Sequence, residues 1–427
     1  MNRIGGRNAV LAVLLVMVAG ACTGGQSGTA ASGAESIELT VSTFGDFGYD
    51  ALFVDYHKLH PNITIKSRVT DFDAHHKTLI TQLAAGRGAA DIVAIEEQYI
   101  EQFKKSSDKF ANLADFGALD LRSQWVDWKW SQGVADNGKF VLGLGTDMGG
   151  LAMCYRKDLL QKAGLPTDRD VLARLWKTWD DYARVGDEFT AKNTGAKFAD
   201  SAGTIYASIL NQSGENYFSS VNDSYIGDHN ATVKTAFYLS ANFATKGETA
   251  QVTPFTQEWN VAIKQGTFAT MTCPAWLLEQ IRDAAGPDGA GKWDVATVPG
   301  GGGNRGGSFL TVPKQSVHAQ QAYELAQWLT APAQQKRLFL NVGILSSEPA
   351  VYRDPEVIGK VDSYFSNSPT GKLFASSAES LRPSYRGVQD YKVRPVFGQA
   401  LSQVEDGKQS VDAAWKDALD QAKDALK

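Results

Sequence analysis

Two adjacent acids, Glu96 and Glu97, close the apolar run ADIVAIE (90–96), and a carboxylate pair at a strand end is compatible with glycoside hydrolysis. Neighbouring side chains diverge, however, and in a chain of 427 residues with 47 acids such pairs arise by chance. Other signatures fail on their context. Gly301, Gly303 and Gly306 fit G-x-G-x-x-G, but Ser308 to Val312 continues as strand where a dinucleotide site needs a helix. Gly286 to Lys292 begins like a phosphate loop, with Trp293 in place of the required Ser or Thr. There is no G-x-S-x-G elbow and no H-E-x-x-H zinc motif. His57 and His60 could share a helix face, but without further ligands they read as a surface pair. No catalytic residue and no metal ligand is assigned, and no cofactor is expected.

Aromatic residues stand out instead: ten Trp, fourteen Tyr and twenty Phe. Most such rings belong in a core. The stretch GTFATMTCPAW (266–276) is different, because an apolar strand ends at Pro274 and delivers Trp276 just beyond it. Proline cannot donate to the ladder, so the strand stops there. An indole at a strand end suits the C–H face of a sugar ring, while Asp, Glu, Asn and Arg answer its hydroxyl groups.

The elements that would hold these residues alternate. IELTVST (37–43), ITIKSRV (63–69) and ADIVAIE read as strands, separated by helical spacing over 50–60 and 75–86 and followed by a helix from about Gln98. That β-α-β-α-β order predicts a parallel sheet whose ligand lies outside the strands' carboxyl ends, at the loops 44–49, 71–74 and 96–98. Asn137-Gly138 predicts a hairpin, and Asp147 and Met148 divide two strand-like pieces after it. WDVATVP and SFLTVP are strands on either side of GGGGNRGG, residues 318–340 are helical, and Val411 to Leu426 is an amphipathic helix.

The chain is long enough for two domains. A net charge of −5 without basic runs argues against nucleic acid. Arg3 and Arg7 precede an apolar run from Ala9 to Val18, too short to span a bilayer, and AGAC follows, the layout of a secretory signal. Residues 23–36 are a Gly/Ser/Ala tether. Small residues before Cys22 resemble a bacterial lipobox, which makes Cys22 the acylated mature N-terminus, anchored to the cell membrane on its extracellular face; cleavage near Ala21 is the plainer reading. Cys154 and Cys273 remain, either as a disulfide, favoured outside the cell, or as two buried thiols.

Three stretches carry a family likeness. GLAMCYRKDLLQKAGL through WKTWDDY (150–182) matches a strand, a Y-N-K-D-L-like segment and a T-W-(D/E) helix start. IKQGTFATMTCPAW carries Gly266, Ala269 and Trp276 of the pattern F-x-x-G-x-x-A-M-x-x-x-x-x-W, with Ile263 at the Phe position. VDAAWKDALDQAKDAL (411–426) matches the closing helix. Together they resemble the extracellular solute-binding proteins of ABC sugar importers, the maltose-binding-protein-like group, over nearly all of residues 37–427. TFGDFGYD and GTDMGGLAMCYR look most like lipoproteins for cellobiose, xylobiose or related β-linked sugars.

The resemblance implies an α/β, two-lobed periplasmic-binding-protein-like fold with a hinge crossed three times, near 145–150, 293–300 and 328–333. Lobe I is then 37–146 and 298–329, and lobe II 149–294 and 333–427. The implied ligand residues are Phe44, Asp46, Glu96, Gln98, Asp147, Trp276, Asn304, Arg305, Ser308, Arg386 and Gln389. The implied partners are an oligosaccharide and the importer's permease subunits, with the protein a monomer. A secreted carbohydrate-active enzyme and a ligand-sensing lipoprotein are the alternatives.

Overall fold

A computed structural model describes residues 35–427, so the signal, Cys22 and all but the end of the tether lie outside the described residues. β1 (Ile37–Phe44) and β2 (Ile63–Thr70) pair in parallel from Ile37 opposite Ile63 to Phe44 opposite Thr70. β1 also pairs in parallel with β3 (Ile92–Glu96), which is buried at every position and therefore shows no polar alternation. The helices Asp50–Leu59 and Phe72–Ala85 make the crossovers. The second starts ahead of its apolar spacing because Asp71 accepts hydrogen bonds from the N–H groups of Asp73 and Ala74, and Gly86 ends it at φ 67°.

β4 (Val134–Ala135) and β5 (Phe140–Val141) form the small hairpin, with Asp136, Asn137 and Gly138 all at positive φ. β6 (Gly143–Gly145) belongs to the first sheet. The chain then leaves it, and β7 (Leu151–Arg156), β8 (Lys197–Ala199), β9 (Phe268–Pro274) and β10 (Trp293–Ala296) build a second sheet in the order β10-β7-β9-β8. β7 is antiparallel to both its neighbours, and β8 is parallel to β9. β11 (Ser308–Thr311) returns to the first sheet, whose order is β2-β1-β3-β11-β6. The two sheets share no strand.

Each sheet has its own core. Leu39, Val41, Ile92, Ala94, Leu144 and Leu310 meet in the first. In the second, alternate residues serve opposite faces: Cys154 and Val295 point to one layer of helices, Met153, Tyr155 and Ala296 to the other. Val298 still packs in the second core, so the segment between the sheets is 299–307, matched by 146–150 on the way out. Pro332 opens the helix Pro332–Val342, which lies against both cores, giving Leu338 to the first and Phe339 to the second. Among the described residues, no helix is long and apolar enough to cross a membrane, and no group of three or more His, Cys, Asp or Glu is placed to hold a metal.

Cys154 on β7 and Cys273 on β9 form a disulfide with Cα atoms 5.7 Å apart. The register sets Cys273 opposite Ala152 and Cys154 opposite Met271, a diagonal pair on one face of the sheet. The bond closes a sequence separation of 119 residues. Constraint of so long a loop in the unfolded chain contributes about 3–5 kcal/mol. We therefore expect C154A/C273A to lose that much unfolding free energy in guanidinium titrations; a loss below about 1 kcal/mol would contradict this account.

Candidate functional site

The parallel strands of the first sheet end together. Phe44, half-buried at the end of β1, meets Phe47, Phe72 and His76 at ring distances of 5.3, 5.2 and 5.0 Å. The loop after it is held by Asp46, whose carboxylate accepts from the Gly48 N–H at 2.7 Å and stays exposed. At the end of β3, Glu96 caps the helix Glu97–Lys104 by accepting from the Gln98 N–H at 2.7 Å. Acids at a helix N-terminus face its positive end. His76 steadies this corner: its ring stacks on Tyr99 at 4.1 Å, and its Nε2 accepts the Glu96 N–H at 3.2 Å. Burial lowers its pKa to about 3, so it stays neutral.

Glu97 is buried and reaches across to the second lobe. Its carboxylate accepts from Asn304 Nδ2 and, at 3.4 Å, from Arg386 Nη2. Arg386 Nη2 also donates to Asn211 Oδ1 at 2.8 Å, and Asn304 Oδ1 accepts the Gly149 N–H at 2.7 Å. Tyr99 and Tyr391 lie 5.6 Å apart across the same boundary. Asp147 braces the connecting segments: Oδ1 accepts from Thr146 Oγ1 at 2.7 Å and from the Ser308 N–H at 3.0 Å. Ser308 itself is buried, opposite Glu96 in the ladder.

Lys129, on the helix Asp127–Gly133, is fully buried with Nζ 4.0 Å above the Phe309 ring and no hydrogen-bond partner. Arg386 Nε and Nη1 and Gln132 Oε1 are likewise buried and unpartnered. Such groups are costly unless something bonds them. The glycine loop passes beside Lys129. A Cβ on Gly307 would lie 2.9 Å from Lys129 Nζ, and one on Gly306 would lie 3.5 Å from Trp276 Nε1 and 3.9 Å from Glu96 Oε1. Trp276 stands two residues beyond the end of β9, caps the helix Leu277–Ala285, and packs half-buried against both cores. Its Nε1–H donates to the Arg305 carbonyl at 3.3 Å.

The structure thus gathers Glu96, Trp276, Asn304, Arg305, Ser308, Arg386 and Asp147 around one boundary, with Phe44 behind Glu96. Asp46 stays in its own turn, Gln98 contributes its N–H to the cap, and the Gln389 carbonyl oxygen accepts from Lys392. Lys129, Glu97, Gln132 and Asn211 were not on the sequence-derived list. The cluster Trp125, Trp128, Trp130 was the available sign for Lys129: Trp125 and Trp130 stack at 5.7 Å and Trp125 donates to the Gly145 carbonyl, fixing the helix that carries the lysine.

Burial pushes the Glu96 carboxyl up to about 8, and Glu97 beside it adds to the shift. Burial also raises Glu97, against the pull of Arg386 and Lys129. Burial lowers Lys129, against the pull of Asp147, Glu97 and Glu96. Hydroxyl groups, each able to donate and accept, can answer the unpartnered donors and acceptor here. An acid raised in the folded state binds its proton more tightly there than when unfolded. Its contribution favours folding at low pH and is lost as pH climbs from 4.5 towards 8. Between about pH 5 and pH 8, E96Q should therefore lose less melting temperature than the parent, or gain more; identical slopes would refute the assignment.

The model for the bacterial extracellular solute-binding protein family matches residues 45–336. The chain is 28% identical to the arabinooligosaccharide-binding protein of Bacillus subtilis (strain 168), over 98% of each chain. A crystal structure described as extracellular solute-binding protein family 1 shares 42% identity, with a TM-score of 0.83 over 92% of this chain and all of that one. The ABC-transporter-associated binding protein of B. animalis subsp. lactis Bl-04, solved with beta-1,6-galactobiose, has the same fold at 22% identity and a TM-score of 0.76, over 91% of this chain and 98% of that one.

Proposed function

The chain belongs to the bacterial extracellular solute-binding proteins, and from that premise we propose that it captures a neutral oligosaccharide between its lobes and delivers it to the permease of an ABC sugar importer. One observation carries this reading. Lys129 and Arg386, from opposite lobes, carry buried, unpartnered polar atoms, and the glycine loop beside Lys129 has the Trp276 ring as a neighbour. Hydroxyl groups of a sugar answer the polar atoms, and its C–H face answers the indole. The ligand residues are those gathered at the boundary, with Lys129, Glu97 and Asn211 added. The lobes close by bending at 146–150, 299–307 and along Pro332–Val342, where the chain passes between the cores. A ligand that touches both lobes favours the closed form, and the importer reads that form. The protein holds its ligand without converting it.

The relative from Bacillus subtilis is named for arabino-oligosaccharides, so these are the first ligands to test, followed by cello- and xylo-oligosaccharides. Calorimetry should show saturable binding to one of the three series with no product formed. W276A should weaken it by about 2–4 kcal/mol while the melting temperature changes little, because the indole is only half-buried. Binding of none of the three, or the appearance of shorter sugars, would overturn the proposal.

The folded body is held at the extracellular face of the membrane by lipid on Cys22, which supports capture close to the permease. In cell fractionation C22A should move from the membrane to the medium or stay unprocessed. Retention equal to the parent protein would exclude the anchor.

A further inference from the structure

Phe255 sits in a backbone conformation that bulky residues rarely adopt, at φ 70°, and its side chain remains 53% exposed. Among the described residues, the other large hydrophobic side chains with marked exposure are aliphatic. Left-handed backbone at such a residue is strained, and strain of this kind persists where the surroundings impose it, often at ligand clamps. Helix capping does not account for the ring. Thr256 caps the helix Gln257–Gln265, and the residue before a cap commonly packs against the fourth helical position, which here is the polar Asn260.

The ring is directed elsewhere. Its centroid lies 5.5 Å from that of Trp259 and 6.1 Å from that of Trp276, tilted 30° from the Trp276 plane. The Arg305 guanidinium stands 5.4 Å over it, and the Arg305 carbonyl is the acceptor of the Trp276 N–H. Trp259 is itself buried and bonded to the buried Asp200 at 3.4 Å, so the support beneath Phe255 is rigid. Phe255, Arg305 and Trp276 are one unit, with the Phe255 ring at its open side.

We propose that Phe255 is a second stacking surface for the oligosaccharide, next to Trp276, and that it selects for chain length; this rests on the sugar-binding reading above. Two aromatic rings with centroids 6.1 Å apart and planes inclined by 30° do not both lie flat on one sugar ring. They suit consecutive rings of a chain whose linkage turns between them. Trp276 takes a ring inside the boundary between the lobes, and Phe255 takes the next one outward. Arg305 holds the two surfaces in register.

Calorimetry with arabino-, xylo- and cello-oligosaccharides from one to five sugars, on the parent protein, F255A and F255W, decides the matter. For the series that binds, F255A should lose about tenfold or more in affinity for the longer members and little for the shortest that binds. F255W should restore the length dependence, and the melting temperature of F255A should not fall, since the exposed, strained ring adds little to stability. Equal affinity of F255A and the parent at every length would overturn this inference and leave the sugar-binding reading intact. An equal loss at every length would also overturn it, because Phe255 would then act on the whole site and not on an outer ring. Failure of the parent protein to bind any of the sugars would remove both.

Discussion

A carboxylate cut off from water has to be answered by donors, and Glu97 draws two of its donors from beyond its own lobe. Asn304 arrives from the connecting loop and Arg386 from the segment before the helix Asp390–Glu405. Much of the arrangement serves this encounter. β3 has to end where it does so that Glu96 caps the helix and Glu97 turns towards the boundary. Asn211 orients the guanidinium, and Gly149 fixes Asn304 by donating its N–H. Leaving either member of a buried ion pair unanswered costs about 3–5 kcal/mol, so this contact favours the arrangement in which the lobes meet here.

The polar atoms without partners at this boundary, on Lys129, Arg386 and Gln132, include both donors and an acceptor. Hydroxyl groups can satisfy donors and acceptors alike. The aromatic rings beside them make no such directional demand.

The first sheet was legible because parallel strands and crossover helices leave strong periodicities: ITIKSRV alternates, ADIVAIE does not, and each has a physical reason. Trp276 was legible because Pro274 marks a strand end. Arg386 and Asn304 were reachable only through the family likeness, since neither loop has a pattern of its own. Lys129 had only the tryptophans around it as a sign. A lysine between two tryptophans reads as a surface residue on an amphipathic helix, and only tertiary packing sinks its ammonium over Phe309. Phe255 was equally hidden, for its peculiarity lies in a backbone angle that no residue type announces. Local patterns encode elements, whereas the lobes' encounter depends on residues hundreds of positions apart.

The position of β11 has a bearing on how the protein comes into being. It lies between β3 and β6, so residues 308–311 complete a sheet whose other strands end at residue 145. An N-terminal portion emerging first would carry β3 with one edge open and no partner for β6. The first lobe cannot be finished until residues 308–311 have been made, after the whole second sheet. Contacts so distant in sequence slow folding. An unfinished chain with an open, largely apolar strand edge is exposed to intermolecular pairing, so yield, more than final stability, is where substitutions in β3 would first be felt.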